Sequence, residues 1–159
     1  MAQRNPLTPV IVSAAFSFLC VWEGVSYKAV HERIDPPGVV TVCNGITNYD
    51  VQTLKVGDEF TPEMCKDLLS EALPRYDACI QKYVKVDLPP RRHVAMLSYI
   101  YNTGCGNFRK TAILRDLNAG RTRQACEDMS HSALTANGKF LQGLANRRKA
   151  ESALCLRED

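Results

Sequence analysis

Seven cysteines (Cys20, Cys43, Cys65, Cys79, Cys105, Cys126 and Cys155) are scattered through 159 residues, and they constrain the fold before anything else does. None forms a Cys-x-x-Cys pair, and the three histidines, His31, His93 and His131, lack metal-ligand spacing. A zinc site is therefore not expected. Dispersed cysteines in a chain of this size point instead to disulfides and an oxidising compartment such as a bacterial periplasm. The odd count leaves at least one thiol free or exchanging. Spacing alone does not choose among the possible connectivities, and buried thiols of a cytosolic protein are the competing reading.

The chain is long enough for a single core, or for two small lobes sharing one long helix. A composition of 45% apolar and 23% charged residues is that of an ordinary globular protein. The net charge of +3 is mildly basic. That suits work beside an anionic polymer, but a nucleic-acid binder would show a clustered basic stripe.

Residues 5 to 22 contain no charged side chain and no histidine. With Ser13, Ala14, Ala15 and Ser17 at its centre and Pro6 and Pro9 near its start, the run is short and only moderately apolar for a membrane span. It is also a poor cleavable signal. Two readings compete: the first amphipathic helix of the folded domain, or a marginal membrane segment. Directly after it comes Glu23-Gly24-Val25-Ser26-Tyr27, then a polar middle, then Asp35-Pro36-Pro37-Gly38-Val39-Val40-Thr41-Val42-Cys43-Asn44-Gly45. One acid thus follows an apolar segment and another sits in a polar turn. Such environments push carboxyl pKa values apart, as acid/base cleavage of a glycosidic bond requires. Taken alone, the pattern equally fits a solvated loop with ordinary surface acids.

These motifs resemble the phage-type lysozymes, glycoside hydrolase family 24, and more closely the signal-anchor-release endolysins of double-stranded DNA phages. The family's Glu, Asp and Thr triad falls on Glu23, Asp35 and Thr41. The stretch between the two acids is about three residues longer than in the members this chain most resembles, so Glu32 competes with Asp35 for the second carboxylate role. Ile46 stands where members often carry His. The spacing from Asp35 to Thr41, the Gly38 turn and the run through Cys43 favour Asp35. The resemblance also implies the pairs Cys126 with Cys155 and Cys43 with Cys65, and an export segment at residues 5–22 that later leaves the membrane. Cys20, three residues before Glu23 on nearly the same helical face, is expected to couple its redox state to the site.

Further along, Thr61-Pro62-Glu63 supplies a capping hydroxyl, a first-turn proline and an acid at the positive helix end. The helix it starts carries Cys65, Leu68, Leu69, Ala72 and Leu73, and Pro74 is expected to end or kink it before a further helix at 75–83. Pro89-Pro90 opens a strongly apolar helix with Val94, Leu97, Ser98 and Tyr101 at helical spacing. It closes in the glycine-rich turn at 102–108, which reads as a helix C-cap and lacks the spacing of a phosphate loop. Short helices are expected at 111–118 and 121–129, a turn at Asn137-Gly138, and a final amphipathic helix at 140–156. Two more stretches match family patterns. The 98–108 stretch makes Tyr101 and Asn102 substrate-contact candidates, with core packing the alternative for Tyr101. Gly143-Leu144-x-x-Arg147-Arg148-x-x-Glu151 makes Arg147 the partner of the catalytic Glu, the alternative being a solvated arginine face.

The expected fold is α+β and lysozyme-like: a small N-terminal lobe with a β-hairpin or short sheet around residues 39–46, and a larger helical C-terminal lobe. Residues 1–22 form the apolar segment. Residues 23–159 form one catalytic domain, its lobes at about 23–60 and 85–159 joined by helices at about 61–84. The resemblance implies a monomeric endolysin without cofactor or metal that acts on peptidoglycan polysaccharide, not on nucleic acid. It would reside in the host periplasm after a transient tether to the inner membrane through residues 5–22. It would hydrolyse the β-1,4 bond between N-acetylmuramic acid and N-acetylglucosamine. A lytic transglycosylase, which needs only the acid, and a non-catalytic disulfide-stapled binding protein are the rival readings.

Overall fold

The computed structural model describes residues 4–32 and 35–157. The chain divides into two compact units. One runs from Phe16 to Pro74; the other joins the described residues 4–15 with residues 75–157. The fold is α+β, with seven helices and two small antiparallel sheets among the described residues.

Helix α1 (Pro9–Glu23) buries Ile11, Ala15 and Leu19, an i, i+4, i+8 stripe, while Val10 and Val21 stay 70% and 74% exposed. The uncharged run is therefore a one-sided helix in this state. Among the described residues, no helix is long and apolar enough to cross a membrane. Its leading segment is tied down by polar contacts. Buried Asn5 donates from Nδ2 to Val86 O (3.0 Å) and accepts at Oδ1 from Leu88 N (2.7 Å). Gln81 Nε2 donates both to Asn5 O and to Asp77 Oδ2, and Asp77 Oδ1 lies 2.5 Å from Nε2 of the buried His93. The polar chain from His93 through Asp77 and Gln81 thus ends on the backbone carbonyl of Asn5, whose uncharged side chain is held by Val86 and Leu88.

In the 16–74 unit, β1 (Ser26–Val30), β2 (Thr41–Cys43) and β3 (Ile46–Thr47) form a sheet in that order, both pairings antiparallel. Val42 faces Ile46 across the second pairing, and both are fully buried. The short sheet lies where β-branched residues predict it, but β1 is an additional strand. Its sequence, Ser-Tyr-Lys-Ala-Val, buries only Ala29 fully, too little alternation to announce a strand.

Helix α2 (Pro62–Tyr83) is continuous, so Pro74 does not end the helix there and the two expected helices are one. Pro74 is exposed, and the ring removes one hydrogen bond on the solvent side. The flanking Leu69, Leu73 and Ile80, buried on the opposite face, hold the helix through it.

In the other unit, α3 (Pro90–Thr103) is buried continuously from His93 to Tyr101. Gly104, at φ 82°, closes it by donating its N–H to Ile100 O, which is the expected C-cap. A single-turn α4 (Cys105–Phe108) follows, then α5 (Ala112–Asn118), capped by the Thr111 hydroxyl, and α6 (Thr122–Met129). Asn137 and Gly138, both at positive φ, turn a two-stranded hairpin of β4 (Thr135–Ala136) and β5 (Lys139–Phe140). Because Phe140 belongs to β5, helix α7 starts two residues later than its periodicity suggests, at Gln142–Leu156.

Three disulfides staple the chain: Cys43–Cys65, Cys79–Cys105 and Cys126–Cys155. Both expected pairs form. Closing loops of 22 to 29 residues is worth roughly 3–4 kcal/mol each in the loop-entropy account. Cys20 is the free thiol.

Candidate active site

Glu23 is the last residue of α1, and Gly24 follows at φ 62°, a conformation that lets the chain leave the helix sharply into β1. Asn44 fixes that exit by donating from Nδ2 to Gly24 O at 2.5 Å. Asn44 itself sits in the tight connection between β2 and β3, where Gly45 has φ 80°. The position of Glu23 is therefore set by the turn that follows the threonine-bearing strand.

Thr41 opens β2, is only 8% exposed, and donates from Oγ1 to Asp35 Oδ2 at 2.6 Å. This is a short, charge-assisted hydrogen bond. It occupies one carboxylate oxygen, and among the described residues no hydrogen bond to the other is found. Asp35, Thr41 and Glu23 thus belong to the same unit, as does Glu32. The Glu32 carboxyl is pushed up by partial burial, then by the charges of Asp35 and Glu23. The repulsion identifies one acidic neighbourhood that contains all three carboxylates.

That repulsion has a measurable consequence. Because the folded-state value of Glu32 is raised, the native state binds this proton more tightly than the unfolded chain does. Its contribution to stability is full near and below about pH 4 and is lost as pH rises through the raised value. Glu32→Gln should therefore raise the melting temperature relative to wild type at pH 7, with the gain vanishing towards pH 4. Paired thermal melts at the two pH values check this; a gain independent of pH would contradict it.

Beside the sheet lies a cavity of about 490 Å³ lined by Phe16, Cys20, Tyr27, Asn44, Cys65 and Lys66 among others. None of Glu23, Asp35 and Thr41 lines it. Burial raises the Cys20 thiol above its ordinary range, which lowers its thiolate fraction.

The remaining site candidates lie in the other unit. Arg147 is 3% exposed and donates from Nε to Glu151 Oε1 (3.0 Å) and from Nη2 to Ser98 O (3.1 Å) and Ser98 Oγ (3.2 Å). Ser98 Oγ also donates to Glu151 Oε1 at 2.6 Å, and Arg148 Nε lies 3.2 Å from Glu151 Oε2. Arg147 and Arg148 are thus buried together, not spread over a solvated face. Burial pushes the Glu151 carboxyl up against the opposing pull of the two guanidiniums and the Ser98 hydroxyl. Arg148 Nη2 donates to Asn102 Oδ1 (2.7 Å), and its guanidinium lies over the Tyr99 ring. Tyr101 is 8% exposed, its ring centroid 4.6 Å from that of Tyr76. Ser98 and Glu151 are the site partners that sequence reasoning passed over. Glu151 had a signal in its spacing, i+4 from Arg147 and i+3 from Arg148, whereas Ser98, distant in sequence, had none.

Carboxylates grouped beside a small antiparallel sheet, in a chain otherwise built of helices, agree with the α+β arrangement expected from the lysozyme resemblance. Residues 21–151 match the phage lysozyme family, and the chain belongs to that family. It is similar to the SAR-endolysin of Bacteriophage PS119, with 38% identity over 134 residues, 84% of this chain and 76% of that protein. The SAR-endolysin of Enterobacteria phage P21 is also 38% identical over 134 residues, covering 84% and 77%. Among solved structures, a point mutant of P22 lysozyme superposes with a TM-score of 0.77 at 29% identity, over 91% of this chain and 97% of that one.

Proposed function

We propose that this phage lysozyme is an endolysin that hydrolyses the β-1,4 bond between N-acetylmuramic acid and N-acetylglucosamine in peptidoglycan. Glu23 protonates the leaving oxygen as general acid. Asp35, held by Thr41, orients and activates the attacking water, which gives an inverting displacement. The observation that supports this most is the 2.6 Å hydrogen bond from Thr41 to Asp35. It points one carboxylate oxygen while the other is left to a water. Tyr101, Asn102 and Arg147 are the proposed substrate-binding residues, the Tyr101 ring suited to a sugar's apolar face and the Asn102 amide to its hydroxyl edge, with Arg147 buried in its Glu151 and Ser98 contacts. Residues 5–22 tether the enzyme to the host inner membrane before release into the periplasm. Support comes from the marginal apolarity of the segment, its one-sided helix α1, and the SAR-endolysin relatives.

The choice of second carboxylate is tested by two substitutions in one turbidity assay on permeabilised Gram-negative cells. Asp35→Asn should lower turnover about 100-fold with little change in substrate binding, while Glu32→Gln should retain activity. An active Asp35→Asn beside an inactive Glu32→Gln would transfer the role to Glu32.

A further inference from the structure

The chain between Asp35 and Thr41 is held mainly by side chains. Val39 N donates to Pro36 O (3.2 Å) across a turn with Pro37 followed by Gly38 at φ 86°, the type II arrangement. Beyond it, among the described residues, successive backbone groups are met by two residues. Gly38 O accepts from Asn48 Nδ2 (3.2 Å), and Val39 O accepts from His31 Nδ1 (2.7 Å). Val40 N donates to Asn48 Oδ1 (3.0 Å), and Val40 O accepts from Asn48 N (3.1 Å). Val39, Val40 and Thr41 are buried, so these groups would be costly to leave unmet. Asn48 is itself fixed by the turn after β3, where Asp50 Oδ2 accepts from Thr47 N (2.9 Å) and Thr47 Oγ1 (3.1 Å). A carbonyl only accepts, so the imidazole bonds to Val39 O through a protonated Nδ1.

We infer that His31 and Asn48 are positioning residues for the Asp35–Thr41 pair. They set the path of the chain that carries Thr41 Oγ1 to Asp35 Oδ2. The inference rests on the proposed role of Asp35 in orienting water. That role depends on where a carboxylate oxygen points, and a misplacement of about 1 Å is enough to cost up to 100-fold in rate. Neither residue needs to touch the substrate, so the effect falls on turnover.

The test uses the full-length protein on solubilised peptidoglycan. His31→Ala should lower kcat about tenfold with KM within about twofold, because the exposed imidazole supports the turn without filling a core position. His31→Asn, whose amide nitrogen can stand where Nδ1 stands, should restore most of kcat. Asn48→Ala should show the same split between kcat and KM. In an Asp35→Asn background, His31→Ala should cause no further loss, since it acts through the group already removed. An unchanged kcat in both His31→Ala and Asn48→Ala overturns the inference, as does an undiminished tenfold loss in the Asp35→Asn background. A fully active Asp35→Asn enzyme would instead sink the assignment of Asp35 itself, so the two failures are distinguishable.

Discussion

Glu23→Gln should leave a folded protein whose lytic turnover is lower by about 100- to 10,000-fold, the range spanned by loss of a general acid. The amide is nearly isosteric with the acid and can still donate a hydrogen bond, but it cannot transfer a proton to a departing sugar oxygen. Glu23 is half-buried at the end of α1, and the chain after it is held through Gly24 and Asn44, not through the carboxylate alone. The melting temperature should therefore change little while activity collapses. Turbidity loss of permeabilised Gram-negative cells, read beside a thermal melt of the same preparation, checks both halves. Retained lysis would remove Glu23 from the chemistry. Loss of lysis together with loss of fold would show that the carboxylate is structural.

The largest effect on stability should come from Glu151→Gln. Glu151 is fully buried and pairs with Arg147 at 3.0 Å and Arg148 at 3.2 Å, while Ser98 adds a hydroxyl at 2.6 Å. Replacing the carboxylate strands two buried guanidiniums without their counter-charge. Breaking such a pair from one side costs about 3–5 kcal/mol, a large fraction of the roughly 5–15 kcal/mol that holds a domain folded. A fall in melting temperature of about 10 °C is the expected result for a chain of this length. The Cys126–Cys155 disulfide joins α6 to the C-terminal part of α7, so the variant should still refold under oxidising conditions. A melt within 2 °C of wild type, again on the order of 1 kcal/mol or less, would mean that the arginines find other anions and the cluster is not the keystone of α7.

Much of this was legible in the sequence, for identifiable reasons. The helix starts at Pro62 and Pro90 and the Gly104 cap were readable because proline and glycine restrict the backbone wherever they stand. Asp35 and Thr41, six residues apart and joined by a hydrogen bond, were singled out through the family resemblance, because their spacing alone equally fits an ordinary loop. Pro74 misled because its cost is fixed, while the packing of Leu69, Leu73 and Ile80 that offsets it depends on the fold. Strand β1 was hidden because only Ala29 turns fully inward. Partners distant in sequence were beyond reach: Ser98 with Glu151, Asn5 with Val86, and Asp77 with His93. The contacts of Asn48 and His31 could not be read in advance, because their partners are backbone atoms, which carry no sequence signal.

The central claim is hydrolysis by a carboxylate pair, and the mass of the muropeptides released by the wild-type enzyme tests it most directly. A water delivered by Asp35 must leave fragments with a reducing N-acetylmuramic acid end, each carrying the mass of the added water. Fragments lighter by that water, ending in an anhydro-sugar, would mean that the muramic acid hydroxyl attacks in place of water. In that case Asp35 and Thr41 would have no part in the reaction, and the enzyme would be a transglycosylase.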